Sequence, residues 1–323
     1  MRFCIAGYGA IAAHHRDALL AMDGVGIDVV MGRRIGPTRE FAETCGAALA
    51  TTDLAEALAQ PRIDAVLVAS PSQVHYEQTR AALAAGKHVL LEIPMALGLA
   101  AAEELCALAD AAGRTLMICH THRYRPFIRG LKRRISEGDL HLHHLHCEWH
   151  FFRRSDEGFA GSRRSWTDNL LWHHAGHVVD DAVWLFGKEP ERAEAVLGPS
   201  GGHGGISRDL GAHLQFAGGG IASYAMSYNA HVSEQRVRIS FICEEDTFTL
   251  EGDHFSSHDA TTKHLDLNEA SIPRQNVEFV DAVREGRKPL TAGRAMLASM
   301  RTLHRLEVSA NRPAAADRDE TPV

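Results

Sequence analysis

No apolar run in this chain reaches the length needed to cross a membrane as a helix. A surplus of positive charge is also missing: the formal net charge is −7, which speaks against nucleic acid or an anionic lipid surface as a partner. None of the cysteines stands in C-x-x-C spacing; Cys4, Cys45, Cys106, Cys119, Cys147 and Cys243 are scattered. That excludes a local dithiol or zinc ribbon and predicts reduced thiols, as in the cytoplasm. The first residues enter a strand pattern directly, with no secretory h-region, so no signal peptide is expected.

What is present is ordinary in bulk and unusual in one respect. With 45% apolar and 23% charged residues, the 323-residue chain reads as a globular protein of about two domains. Its 21 histidines are in excess and crowd between His120 and His177.

The first third alternates strands and helices. Arg2–Ala6 is a short apolar strand, followed by Gly7-Tyr8-Gly9-Ala10-Ile11-Ala12 and a helical pattern through Leu20. This is the dinucleotide fingerprint in its required order. Gly7 permits the tight turn, Gly9 lets the backbone approach a pyrophosphate, and Ala12 allows the helix to pack on the strand. Free N–H groups at Ala10 and Ile11 would face phosphate. After the second strand, Ile27–Met31, no acid stands where an NAD-preferring fold binds the ribose hydroxyls; Asp28 lies at the strand's other end. Arg33 and Arg34 stand there instead, suited to a 2′-phosphate, so NADP is expected, with NAD the alternative. Strand Ala65–Ala69 ends in Ser70-Pro71-Ser72, with His75 nearby, and strand Val89–Leu91 ends in Glu92-Ile93-Pro94. Carboxyl ends of parallel strands face the cofactor cleft, so all of these are cofactor-site candidates.

These motifs, with Ala85-Gly86-Lys87-His88-Val89, resemble the glucose–fructose oxidoreductase/inositol dehydrogenase family. The resemblance implies an NAD(P)-dependent oxidoreductase. It also implies an α/β architecture: a Rossmann domain over 1–120 and a C-terminal α+β domain over 121–323. The second domain would carry an open, mostly antiparallel sheet for substrate binding and dimerisation. A C-terminal helix near 290–310 is expected to pack back on the first domain. The family reads Glu-Lys-Pro where this chain has Glu92-Ile93-Pro94, and that lysine often assists proton transfer. Lys87 precedes its strand and so should lie at the wrong end of the sheet to replace it.

A narrower likeness, within the family, is to members acting on a carboxylated ring hemiacetal. It rests on His120–Pro126, Phe151-Phe152-Arg153-Arg154 and the run 164–177. In the family's Asp-x-x-x-His helix, His173 takes the acid's place and His177 keeps the histidine's. The expectation is that His173 is the general base and that His177 contacts the reacting oxygen, the two sharing a helix face at i, i+4. Asp180 would orient a neighbouring imidazole. Arg123, Tyr124, Arg164, Trp166 and His174 would line a pocket for a small dicarboxylate, since Tyr124–Glu137 reads as a basic helix. The rival expectations are a sugar or cyclitol dehydrogenase and a non-catalytic NADP-binding regulator. The His173/His177 pair has metal-ligand spacing, but it lacks the adjacent glutamate and a third ligand, so no metal is expected. On the strand Leu140–Phe152, His141, His143, His144, His146 and His150 read as falling on both faces. A homo-oligomer is expected, with one sheet face free to meet a second copy.

Overall fold

A computed structural model describes residues 1–152, 170–200, 206–252, 254–258, 260–264 and 271–311. Six parallel strands form the first sheet: β1 (Arg2–Ala6), β2 (Gly26–Met31), β3 (Leu49–Thr51), β4 (Ala65–Val68), β5 (His88–Leu91) and β6 (Leu116–Ile118). Their order is β3-β2-β1-β4-β5-β6, so the chain reverses direction across the sheet between β1 and β4. In such sheets the ligand crevice opens at that switch point, beyond the carboxyl ends. Helices α1 (Ala10–Leu20), α2 (Ile35–Cys45), α3 (Leu54–Leu58), α4 (His75–Ala84) and α5 (Leu99–Ala112) connect the strands. Cys4 and Ala6 of β1 enter one apolar cluster, and Phe3 and Ile5 enter another. Burial on both faces is why these strands read as continuous apolar runs rather than alternating ones.

After β6 the chain makes a short 3-10 turn at Thr121–Tyr124 and then α6 (Pro126–Glu137). The expected helix from Tyr124 is therefore corrected. Pro126 is the first helical residue, and the residue before a proline is driven out of the helical region, so Arg125 is extended (φ −69°, ψ 127°). Next come β7 (Leu142–His150), α7 (His174–Phe186), β8 (Arg192–Leu197), β9 (Asp209–Gln215), β10 (Ile221–Ser227) and β11 (Arg236–Cys243). Strands β12 (Thr247–Glu251), β13 (His254–Ser257) and β14 (Ala260–His264) complete the second sheet. Among the described residues this sheet has eight strands in the order β14-β13-β12-β11-β7-β10-β9-β8; β7 and β10 are parallel and all other neighbours antiparallel.

One face of the second sheet is buried, and Leu145, Cys147 and Trp149 of β7 join the cluster that also holds Cys4 and Ala6. The opposite face carries His144, His146, Glu148 and His150. The reading that the histidines of this strand fall on both faces is thus corrected. The pairing with β11 skips His143, a bulge that shifts the alternation, and beyond it three histidines share the open face. His144 and His146 both reach the Ser223 hydroxyl, at 2.7 and 2.8 Å.

Two closing helices return to the first sheet. Helix α9 (Gly293–Ala310) packs on α5 and α7, and α8 (Ser271–Glu285) packs on α1, with Phe279 tilted against Phe3 at 5.9 Å. Among the described residues, no helix is long and apolar enough to cross a membrane. All six cysteines are buried and unbridged.

Candidate active site

Gly7 follows β1 with φ +124°, a region L side chains rarely adopt, and a Cβ there would collide with the Ala69 carbonyl just past β4. Beyond it α1 begins at Ala10 with no side-chain cap on its first N–H groups, and the space over Gly9 is open. An uncapped helix N-terminus under open space at the switch point fits a pyrophosphate. Ala12 is fully buried under the sheet, as packing requires. At the tip of β2, Arg33 and Arg34 are exposed, while Asp28 at the strand's other end is paired with Arg2.

The far wall of the crevice is made by the ends of β4 and β5. His75 is buried and bridges them: Nδ1 lies 2.9 Å from the Pro94 carbonyl and Nε2 lies 2.8 Å from the Ser70 carbonyl. It holds Ser70-Pro71-Ser72 against Glu92-Ile93-Pro94 and so acts on the cleft through its shape. The Ile93–Pro94 peptide is cis. Ile93 is buried in the core at the place where the family carries lysine. Lys87 binds the Gln60 and Ile63 carbonyls at the opposite end of the sheet and cannot substitute for it. Glu92 receives His15 Nε2 at 2.7 Å, and His15 Nδ1 meets Asn276 Oδ1 of α8 at 2.8 Å. Burial alone would raise the Glu92 carboxyl, but the His15 hydrogen bond outweighs it and the acid is held below its ordinary value. The thiol of Cys119, beside Glu92, is pushed far up by burial and by that negative charge, so it is no nucleophile.

The histidines meet this wall. His120 and His122 leave the carboxyl end of β6, and His177 of α7 lies over them. The His177 ring stacks on His122 at 4.7 Å and 13°, and stands edge-on to His120 at 6.1 Å. His120 feels the charges of both Asp180 and Glu92, so this cluster borders the cofactor wall. His177 is half-buried, and its Nδ1 has no hydrogen-bond partner among the described residues. Burial, reinforced by the positive charges around it, holds its proton affinity well below the ordinary histidine value, leaving a neutral imidazole.

His173 does not share a helix face with His177 in the strict sense expected. It is the N-cap residue, with φ −93° and ψ −82°, and α7 starts at His174. It is nonetheless half-buried, and its charge is felt at His177. His174 is not on the cleft. It is buried edge-on to Trp149, Phe151 and Tyr228 and bonded to the Tyr228 hydroxyl, which makes it part of the core.

Asp180 and Asp181 divide the work behind the imidazoles. Asp180 takes Arg123 bidentately, Nε and Nη2 each at 2.8 Å, accepts the Ser299 hydroxyl at 2.6 Å, and stands 3.5 Å from His120 Nδ1. Asp181 Oδ2 lies 2.7 Å from His122 Nδ1. Burial, together with the negative charge of Asp180, pushes Asp181 up to about 8, whereas burial and Arg125 push His122 well down. Both shifts disfavour the charged pair, so burial favours a neutral carboxyl beside a neutral imidazole.

The expectation that Arg123 and Tyr124 line the substrate pocket is corrected. Arg123 is 4% exposed and closed in its ion pair, stacked over Trp184; Tyr124 is 1% exposed with its hydroxyl on Thr291. A 3-10 turn places both inward. Arg164 and Trp166, with Arg153, Arg154 and Arg163, lie outside the described residues. Sequence reasoning placed His120, His122 and Arg125 in the run that carries the narrower likeness without giving any of them an individual role, and it missed Asp181 and His15. The position of His120 and His122 directly after a parallel strand was the available signal; the others are long-range partners.

A glycine turn at the switch point and a histidine cluster across the crevice define a dinucleotide-dependent oxidoreductase. The comparisons agree. Residues 1–120 match the oxidoreductase family with NAD-binding Rossmann fold, and residues 126–271 match the C-terminal domain of bacterial oxidoreductases. The chain is 35% identical to a 4-carboxy-2-hydroxymuconate-6-semialdehyde dehydrogenase of Sphingobium sp. strain SYK-6, covering 95% of this chain and 98% of that protein. It is 28% identical to an inositol 2-dehydrogenase of Streptomyces avermitilis, covering 80% and 79%. Solved structures share the fold. The WlbA dehydrogenase from Bordetella pertussis, in complex with NADH and UDP-GlcNAcA, superposes with TM-score 0.82 at 22% identity over 96% of each chain. A levoglucosan dehydrogenase in complex with NADH and levoglucosan gives TM-score 0.82 at 18% identity, over 96% of this chain and 97% of that one. The protein belongs to the oxidoreductase family with NAD-binding Rossmann fold.

Proposed function

We propose that the protein oxidises the cyclic hemiacetal of 4-carboxy-2-hydroxymuconate-6-semialdehyde to 2-pyrone-4,6-dicarboxylate, with NADP as oxidant. The observation that carries this reading is the neutral imidazole of His177, stacked on His122 and bordering the Glu92 wall. The similarity to the Sphingobium enzyme supplies the substrate. A ring hemiacetal already carries a C–OH, so its oxidation needs a base and no thiol nucleophile. That suits a chain whose described cysteines are buried and whose family lysine is replaced by Ile93.

The bound nicotinamide supplies the hydride acceptor. His177 meets the reacting hydroxyl and draws off its proton as the carbonyl forms, passing it on to His173. Burial and the surrounding cations keep His177 unprotonated while the site is empty. A dianionic substrate offsets those charges, so proton uptake becomes easier only when substrate is in place. Glu92, fixed by His15, and the His75 bridge keep the cofactor wall rigid.

Reduction of NADP and NAD by the wild-type enzyme is to be followed with the carboxylated hemiacetal, inositol and glucose. The expected result is turnover of the hemiacetal alone, with NADP preferred. Turnover of the polyols instead would sink the assignment. Removing Arg33 and Arg34 together is expected to weaken NADP by about 10- to 100-fold, the worth of one or two charge-assisted hydrogen bonds. NAD binding should barely change in that variant.

A further inference from the structure

We propose that Arg125 is the site's carboxylate receptor, holding an anionic group of the substrate beside His177. This rests on the reading above that the substrate is a carboxylated ring.

Arginine is seldom buried without a counter-charge, because a desolvated guanidinium is expensive unless paired. Two residues upstream, Arg123 obeys that rule, with both of its donors on Asp180. Arg125 does not. Its Nε is buried without a partner, and its side chain forms no hydrogen bond or ion pair among the described residues. Asp181 is the carboxyl that acts on it, but Asp181 Oδ2 is engaged by His122, and burial with the Asp180 charge pushes that acid up to about 8. Among the described residues no carboxylate oxygen stands within ion-pair distance of Arg125, and burial with the Asp180 charge weakens Asp181 as a counter-ion. Burial brings Arg125 down only to about 10, so it stays a cation.

The location is specific. Extended backbone at the residue before Pro126 projects Arg125 from the junction of the 3-10 turn and α6. Its charge is felt at His122, His177 and Asp181, which places it within the imidazole cluster. A cation with free fork donors next to a neutral base is what a carboxylated alcohol requires. The carboxylate satisfies the guanidinium bidentately and fixes the ring, and its charge offsets the cations that suppress proton uptake at His177.

The test uses the intact enzyme loaded with oxidised dinucleotide and two planar probes: isophthalate, which carries two carboxylates, and its neutral diamide, isophthalamide. Calorimetric titration is expected to show isophthalate binding to wild type and about 10- to 100-fold weaker binding to R125M, with R125K between them. The diamide should not distinguish the variants. R125M should melt no lower than wild type, because it removes a part-buried charge that no group among the described residues pairs. In R125M the acid limb of kcat/KM should also move to higher pH. The permanent cation facing His177 is then gone, while the titratable rings of His120, His122 and His173 remain around it.

Equal isophthalate affinity in wild type and R125M overturns the proposal, as does no binding to wild type. An R125M protein that unfolds or melts well below wild type also overturns it, since that marks a structural arginine. Isophthalate binding through Arg125 without any turnover of the carboxylated hemiacetal removes the substrate reading and leaves the receptor. Unimpaired turnover by R125M does the reverse.

Discussion

Replacing His177 with alanine is expected to lower turnover of the carboxylated hemiacetal by about 10²–10⁴-fold, the usual worth of a positioned acid–base group. The loss should appear in kcat more than in KM, because the imidazole acts on a proton that moves only as the carbonyl forms. His173→Ala should fall in the same range. Combining the two should cost much less than the product of the single losses, since both serve one proton. His174→Ala supplies the contrast. That ring sits among Trp149, Phe151 and Tyr228, so its loss should destabilise the protein and leave the turnover of the folded fraction near wild type. Wild-type kcat in either His177→Ala or His173→Ala would remove the acid–base assignment.

The pH dependence follows with a definite sign. His177 must be neutral to act, and burial with the neighbouring charges holds its proton affinity well below the ordinary histidine value. The acid limb of kcat/KM, which reports the free enzyme, should therefore lie well below about 6.5, the value of an unperturbed histidine. In kcat, which reports the complex, a bound dianion raises the proton affinity, so that limb should lie at higher pH. An acid limb at the same pH in both profiles would contradict a cationic pocket discharged by its substrate.

The first sheet was legible because its signals are local. Gly7, Gly9 and Ala12 are read from spacing, and Arg2–Ala6 and Ala65–Ala69 from apolar runs that only a doubly covered strand tolerates. The site was legible only in its chain order. That His173 and His177 would lie near one another could be read; that His177 would stack on His122 could not, because 55 residues and a sheet edge separate them. The arginines are the sharpest case. Arg123 and Arg125 look alike in sequence, and only Arg123 was singled out for substrate, although the structure closes it on Asp180. Their fates diverge because a 3-10 turn sends Arg123 inward to Asp180, while Pro126 holds Arg125 extended. The histidine strand failed for a different reason. A bulge at His143 shifts the register, and alternation counted across a bulge gives the wrong face.

Breaking the Arg123–Asp180 pair should have the largest effect on stability. Asp180→Asn leaves a guanidinium buried with no counter-charge, and Arg123→Met leaves a buried carboxylate in the same position. Each is expected to cost about 3–5 kcal/mol in urea unfolding. The pair also ties the turn after β6 to α7 and, through Ser299, to α9, so its loss loosens the frame that carries His120 and His177. Burial alone would raise the Asp180 carboxyl, but the Arg123 charge and hydrogen bonds hold it far below the usual carboxylate range. A carboxyl depressed in the folded state stabilises at pH above its unfolded value of about 3.9, and that contribution fades as pH falls further. The wild type should therefore lose stability in acid along a slope that Asp180→Asn lacks. Arg123→Met combined with Asp180→Leu removes both charges at once and should be far less damaging than either single change. If the double variant is as unstable as the sum of the singles, the two side chains act independently and the ion pair is not what joins β6 to α7.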